Sequence, residues 1–297
     1  MNKAILLLQH YAAIILLVYV LLLLIPILVI FWVARVTKRE RAKSVVPFGE
    51  LQRRPAGESA RVKLEKYTDS LNEWLTAVVF IPVLFTLVIA TQRETSVALI
   101  VLLLLAVAIF AVVAGRKIRF LLCERACYRL GFEGERYVAE ELNLLMADGF
   151  RVFHDVLFDN YNMDHVLVGP NGVFVVETKT RRKPISDEGE KAYKVSFDGA
   201  ALHFPKGLDT NGLNQVRRNR DTLSKWLSSA TGDRIEAHGI LTIPGWFVER
   251  SARSDVYVTS PKQIRSFVLN LTENPLTTAE IQRASHQLEQ KCKLPIE

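Results

Sequence analysis

Hydrophobic positions along this chain gather into long uncharged runs in the first third and into short alternating or helically spaced runs in the rest. Residues 11–34 (YAAIILLVYVLLLLIPILVIFWVA) carry no charge over the roughly 20 residues that a bilayer-spanning helix needs. Pro26 inside the run is tolerated in lipid, where neighbouring helices or waters satisfy the freed carbonyl. A secretory signal is the rival reading; the length of the run and the lack of a small-x-small cleavage site before Arg35 stand against it. Two further apolar runs, 75–91 and 96–114, are separated only by Gln92-Arg93-Glu94-Thr95 and predict a helical hairpin. A buried hairpin in a soluble core, or a re-entrant pair, is the alternative, because 75–91 is short for a span.

Between the first run and the hairpin, residues 35–74 form a polar connector with a loose stretch at 48–57 and a polar helix at 59–74. Its role is not legible. From 116 to 297 short strands alternate with helices, the pattern of one mixed α/β domain. The spacing predicts helices over 134–147, 213–229, 262–269 and 278–291. It predicts strands at 151–158, 237–243 and 256–259, a strand pair across 164–179, and a second hairpin over 194–204 about Asp198-Gly199.

Charge changes the picture only once it is divided. The formal net charge is +7. Residues 1–115 hold 12 basic and 7 acidic residues, leaving 26 and 24 for the remainder, so the excess lies mostly beside the apolar runs, where anionic lipid headgroups account for it. Net charge therefore gives no argument for nucleic acid. Ten Lys and Arg lie between Arg35 and Lys66, and Arg116, Lys117 and Arg119 follow the third run. The positive-inside rule then places the amino terminus and the hairpin tip outside a cell (inner) membrane, and the connector and everything after 115 in the cytoplasm. Cys123, Cys127 and Cys292 are odd in number, lack metal-ligand spacing and suit a reducing compartment. Cys123 and Cys127 are either acylation sites near the membrane or inert helix residues.

Candidate chemistry sits in NMDHVLVGPNGVFVVETKT, residues 162–180. If Pro170 and Asn171 are the centre of a two-residue turn, Gly169 pairs with Gly172, Val166 with Val175, and Asp164 faces Glu177. Opposed carboxylates on paired strands, with β-carbons about 5 Å apart, repel each other and call for a positive partner. Lys179, two residues beyond Glu177, points to the same face. Two carboxylates and an ammonium suit an oxygen-ligated divalent cation such as magnesium; a solvated cross-strand ion pair is the alternative. Glu135 lies three residues before Val138 on the core side of the helix at 134, where it either joins the acidic pair or serves the helix dipole. Gln215 and Asn219 lie one turn apart at the edge of the apolar stripe Leu213, Val216, Leu223 and Leu227, within reach of a neighbouring site. Arg181, Arg182, Lys183, Arg217 and Arg218 form basic clusters that could contact phosphates, or that stay solvated. His10, His154, His203, His238 and His286 stand singly. No nucleophile elbow, phosphate-binding loop, Cys-x-x-Cys or zinc-type His spacing is present.

Taken together, Gly134-Glu135, Asp164-His165, Gly172-Val173-Phe174, Glu177-Thr178-Lys179 and Gln215 resemble the nuclease-related domain (NERD) family of the PD-(D/E)xK phosphodiesterase superfamily, over residues 131–225. The resemblance implies an α/β restriction-endonuclease-like fold with a mixed central sheet, here preceded by three transmembrane helices. It implies that Asp164, Glu177 and the Thr178 carbonyl hold Mg2+, or Mn2+ in its place, that Lys179 positions or activates the attacking water, that Glu135 completes the acidic set and that Gln215 touches the site. Met163 stands where the superfamily name has proline. Gly212 stands where a proline is expected ahead of Gln215. His165, by strand alternation, points away from Asp164 and packs behind it. The expected architecture is a first membrane helix (1–34), a cytoplasmic connector (35–74), a membrane hairpin (75–115) and a cytoplasmic nuclease-like domain (116–297). The expected function is metal-dependent hydrolysis of DNA, or of RNA, at the bilayer. The alternative from another class is a catalytically silent module that binds nucleic acid or a protein partner there.

Overall fold

The computed structural model describes residues 53–91, 96–159, 161–184 and 193–293, with isolated positions between 18 and 39. The chain divides into two compact units, Phe48–Leu64 with Ala126–Glu297 and Met1–Pro47 with Glu65–Arg125. The run at 11–34 lies outside the described residues apart from a few helical positions.

Among the described residues, two helices are long and apolar enough to cross a membrane, one within α1 (Glu58–Thr91) and one that includes α2 (Val97–Asn143). Their apolar windows have mean hydropathy of 1.8 and 3.4 and are 0% and 6% buried. Leu102, Leu104, Leu105, Ile109 and Val112 are accordingly exposed. Trp74 of α1 stacks on Phe110 of α2 at 6.5 Å, and Arg125 Nε donates to Thr68 Oγ1.

Both helices correct the expected boundaries. The polar helix at 59–74 and the apolar run at 75–91 are one uninterrupted helix, and the helix expected from 134 is the last part of α2. Composition changes sharply at 75 and 115, but no proline stands at either place and Gly115 stays helical, so backbone hydrogen bonding continues across each change in polarity. Gly134 marks a close approach rather than a helix start. A Cβ on it would lie 2.0 Å from Thr180 Cγ2, so only glycine lets α2 lie against the chain just after Lys179.

The larger unit carries a five-stranded mixed sheet in the order β1 (Arg151–Phe158), β2 (Tyr161–Gly169), β3 (Gly172–Thr178), β7 (Ala237–Thr242) and β9 (Val256–Thr259). The first three strands are antiparallel, while β3–β7 and β7–β9 are parallel. One face buries Val166, Val168, Val173 and Val175 against α3 (Asn211–Thr231) and α5 (Thr278–Lys291). The other packs Leu167, Phe174 and Val176 with Val138 and Leu142 of α2 and with Ile264 and Val268 of α4 (Pro261–Asn270). Covered on both faces, β2 and β3 read as continuous apolar runs, as strands inside a layered α/β domain must. A second sheet, in the order β6 (Gly207–Asp209), β5 (Leu202–Phe204), β4 (Lys194–Phe197) and β8 (Phe247–Arg250), contains the expected Asp198-Gly199 hairpin. Its strands β6 and β8 are too short to leave a periodic signal.

Candidate active site

The two-residue turn sets the register as expected: Gly169 pairs with Gly172, Val168 with Val173 and Val166 with Val175. The ladder closes at His165 and Val176, one step short of Asp164 and Glu177. Instead of facing a β-bonded partner, Asp164 Oδ2 accepts the Thr178 amide at 2.8 Å. Glu177 turns toward α3, where Asn219 Nδ2 donates to its Oε2 at 3.2 Å and Gln215 hydrogen-bonds the same carboxyl. The Lys179 amide donates to the Thr242 carbonyl at 2.9 Å, which leaves the half-buried Lys179 side chain at the strand end.

Glu135 reaches this group from α2. It lies deep inside a long helix, so the helix dipole explains nothing about its position. Its carboxyl accepts the Gly57 amide, while Oε2 is buried with no hydrogen-bond partner.

The acids are short of positive charge. Burial, with the Asp164 and Asp155 charges adding, pushes Glu135 up to about 9. Burial pushes Asp164 up to about 7 against the pull of the Thr178 amide and Lys179, and burial and the Asp164 charge drive Glu177 well up. An unpaired buried carboxylate keeps its proton until a cation arrives. The orphaned Glu135 oxygen and the surplus of acid therefore fit a divalent cation chemically. Among the described residues, however, no three His, Cys, Asp or Glu side chains stand together as a ready ligand set, and one Asp164 oxygen is already engaged by an amide.

A fourth acid, Asp155 on β1, belongs to the same group and was missed in the sequence. It is completely buried, has φ of 47° and interrupts the β1–β2 ladder between the His154–His165 and Val156–Met163 pairs, directly across from Asp164. The signal was available, since an Asp inside the apolar strand RVFHDVLF raises the same question as Asp164.

His165 lies behind the site, as strand alternation required, but it is not solitary. Its Nδ1 is 2.9 Å from His154 Nδ1, and its Nε2 is 3.3 Å from Thr178 Oγ1. His154 Nε2 meets Asn143 Oδ1 at 3.1 Å. Asn143 Oδ1 can only accept, so His154 is protonated on Nε2, His165 holds the proton between the two Nδ1 atoms, and Thr178 donates its hydroxyl. Burial lowers both histidines, His154 to about 4, so this neutral chain braces Thr178.

The basic residues are unequal. Arg181 bonds Asp209 at 3.0 Å and lies 4.4 Å over the Phe204 ring, and Arg217 grips Asp255 from both Nε and Nη2. Arg182, Lys183 and Arg218 are exposed, with Lys183 Nζ 4.6 Å over the Tyr193 ring.

Residues 130–244 match the family model of the nuclease-related domain, NERD. That stretch contains Glu135, Asp155, Asp164, Glu177, Lys179 and Gln215. No match was found among curated proteins or among solved structures.

Proposed function

We propose that this chain is a membrane-anchored, magnesium-dependent nuclease acting on DNA, with RNA as the second substrate to test. The observation that carries the reading is the convergence of Glu135, Asp164 and Glu177, whose carboxyls burial and mutual repulsion push up, around the end of the strand that delivers Lys179. Asp164 and Glu177, with the Thr178 carbonyl, would hold the cation, and the ion would supply Lewis-acid polarisation of a phosphoryl oxygen. Gln215 and Asn219 hold the Glu177 carboxyl in orientation. Lys179 hydrogen-bonds the attacking water to position it and offsets the negative charge that builds on the phosphoryl oxygens. Glu135, with Oε2 free, would accept the proton that the attacking water loses, once a bound cation has displaced the proton it holds at rest. Exposed Arg182, Lys183 and Arg218 meet the phosphate backbone first.

A binding module without turnover is the second reading, favoured by the Asp164 oxygen committed to Thr178 and by the missing ready-made ligand set. Full-length protein in detergent, given plasmid, linear duplex, single-stranded DNA and RNA with Mg2+ or Mn2+, separates the two. We expect cleavage that falls at least a hundredfold in Glu177→Ala and Lys179→Ala while nucleic-acid binding persists; no metal-dependent cleavage of any substrate leaves the binding module. In sealed membranes, inverted vesicles should cut added plasmid and right-side-out vesicles should not. The reverse result would refute the cytoplasmic placement.

A further inference from the structure

Residues 53–59, which lead into the first turn of α1 and lie outside the stretch that matches the family, run alongside the candidate site rather than away from it. Arg54 is buried, and its Nε donates to Asp155 Oδ2 at 2.7 Å while Nη2 also bonds that oxygen. The Ser59 amide and hydroxyl add donors to Oδ2 at 3.2 and 3.1 Å, and Asn162 supplies Oδ1 at 2.6 Å. Asp155 thereby satisfies an amide in the first turn of α1. Two residues before Ser59, Gly57 gives its amide to Glu135. Its φ is +77°, and a Cβ there would lie 2.7 Å from the Phe132 ring, so the chain reaches this position only as glycine. Outside the site the segment is anchored to the end of the chain, by the Arg54 amide on the Cys292 carbonyl, the Arg53–Lys293 bridge and the Arg53–Glu289 ion pair.

We propose that residues 53–59 are a strap that completes the site, and that Arg54 is its positioning residue. Two of the four clustered carboxyls are held by it, Asp155 through Arg54 and Ser59, and Glu135 through Gly57. Arg54 occupies Asp155, so the acid across from Asp164 is removed from competition for the cation while the strand carrying Asp164 is fixed in place. A guanidinium fork suits this role because it bonds one carboxylate from two nitrogens in a buried setting. The inference rests on the metal-site reading of the preceding subsection.

The test uses the full chain in detergent, with Mn2+ binding followed by electron paramagnetic resonance and amide hydrogen exchange followed over residues 151–168. Arg54→Ala should weaken Mn2+ binding at least tenfold and speed exchange in that hairpin, and Arg54→Lys should recover part of both. Parent-like Mn2+ binding and exchange in Arg54→Ala would overturn the proposal. If Arg54→Ala fails to fold, the charge-free pair Arg54→Met with Asp155→Asn replaces it under the same criteria. If the parent neither binds Mn2+ nor cuts, the nuclease reading fails. The strap is then decided by exchange alone: faster exchange in the variant supports it, and unchanged exchange sinks it.

Discussion

Glu135 shows what the residue scale adds, because its state connects the site to stability. Its pKa is raised from 4.5 to about 9, so the folded protein keeps a proton that the unfolded chain releases. The stabilisation is complete below the unfolded value and is lost as pH rises toward the folded one. The lowered histidines act in the opposite sense, since folding keeps them neutral, and their effect is finished above their ordinary 6.5. Between pH 7 and 9 the acids therefore dominate. Without divalent cations stability should fall across that window by up to ~1.4 kcal/mol per pH unit for each group that still holds its proton, and the melting temperature with it. Glu135→Gln should flatten the fall, and Mg2+ should stabilise the parent more at pH 8.5 than at pH 6; calorimetry across the window with and without Mg2+ checks both. Asp164, Glu177 and Lys179 could be singled out because a two-residue turn and strand alternation convert spacing into facing, and Glu135 because it falls on the core side of a helix, although the ladder stops one pair short of Asp164 and Glu177. Asp155 stands out as an Asp inside an apolar strand, but its placement across from Asp164 could not be read, because a positive φ breaks the alternation where it sits.

At the scale of elements, the meeting of α2 with the end of β3 depends on Gly134. Gly134→Ala gains about 1 kcal/mol of helix propensity, but its Cβ would fall 2.0 Å from Thr180 Cγ2, and overpacking of this kind costs about 1–3 kcal/mol. We expect a lower melting temperature and a loss of activity, since Thr180 directly follows Lys179. Thr180→Ser removes the clashing methyl and should restore both. A Gly134→Ala protein that melts and cuts like the parent would show that the contact relaxes freely. Strand register and the amphipathic helices could be read from the sequence because each has its own period. Continuity of α1 and α2 could not, because a change from apolar to polar residues looks like a boundary even where the backbone has no reason to stop.

For the whole molecule, a fragment that starts at residue 116 leaves out residues 48–64, which belong to the same compact unit as 126–297. Arg54 and Asp155 are 101 residues apart in sequence, and no local pattern announces such a pair. A fragment of 116–297 leaves Asp155 buried without its cation, a loss of about 3–5 kcal/mol for a broken buried pair. It should melt at least 10 °C below a chain in which 53–64 is joined to 126–297 by a short linker. That linker is feasible because Lys63 Nζ lies 5.5 Å from the Tyr128 ring. Equal melting of the two proteins by circular dichroism would mean that the strap contributes no stability.

The strap also makes the apolar hairpin an insertion inside one folding unit rather than a leader in front of it. Ribosomal synthesis delivers residues 53–59 first, then the hairpin, and only afterwards the strand that carries Asp155. The acidic cluster can therefore close only after the apolar helices have been made, so the order of translation itself postpones assembly of the site until those segments have left the ribosome.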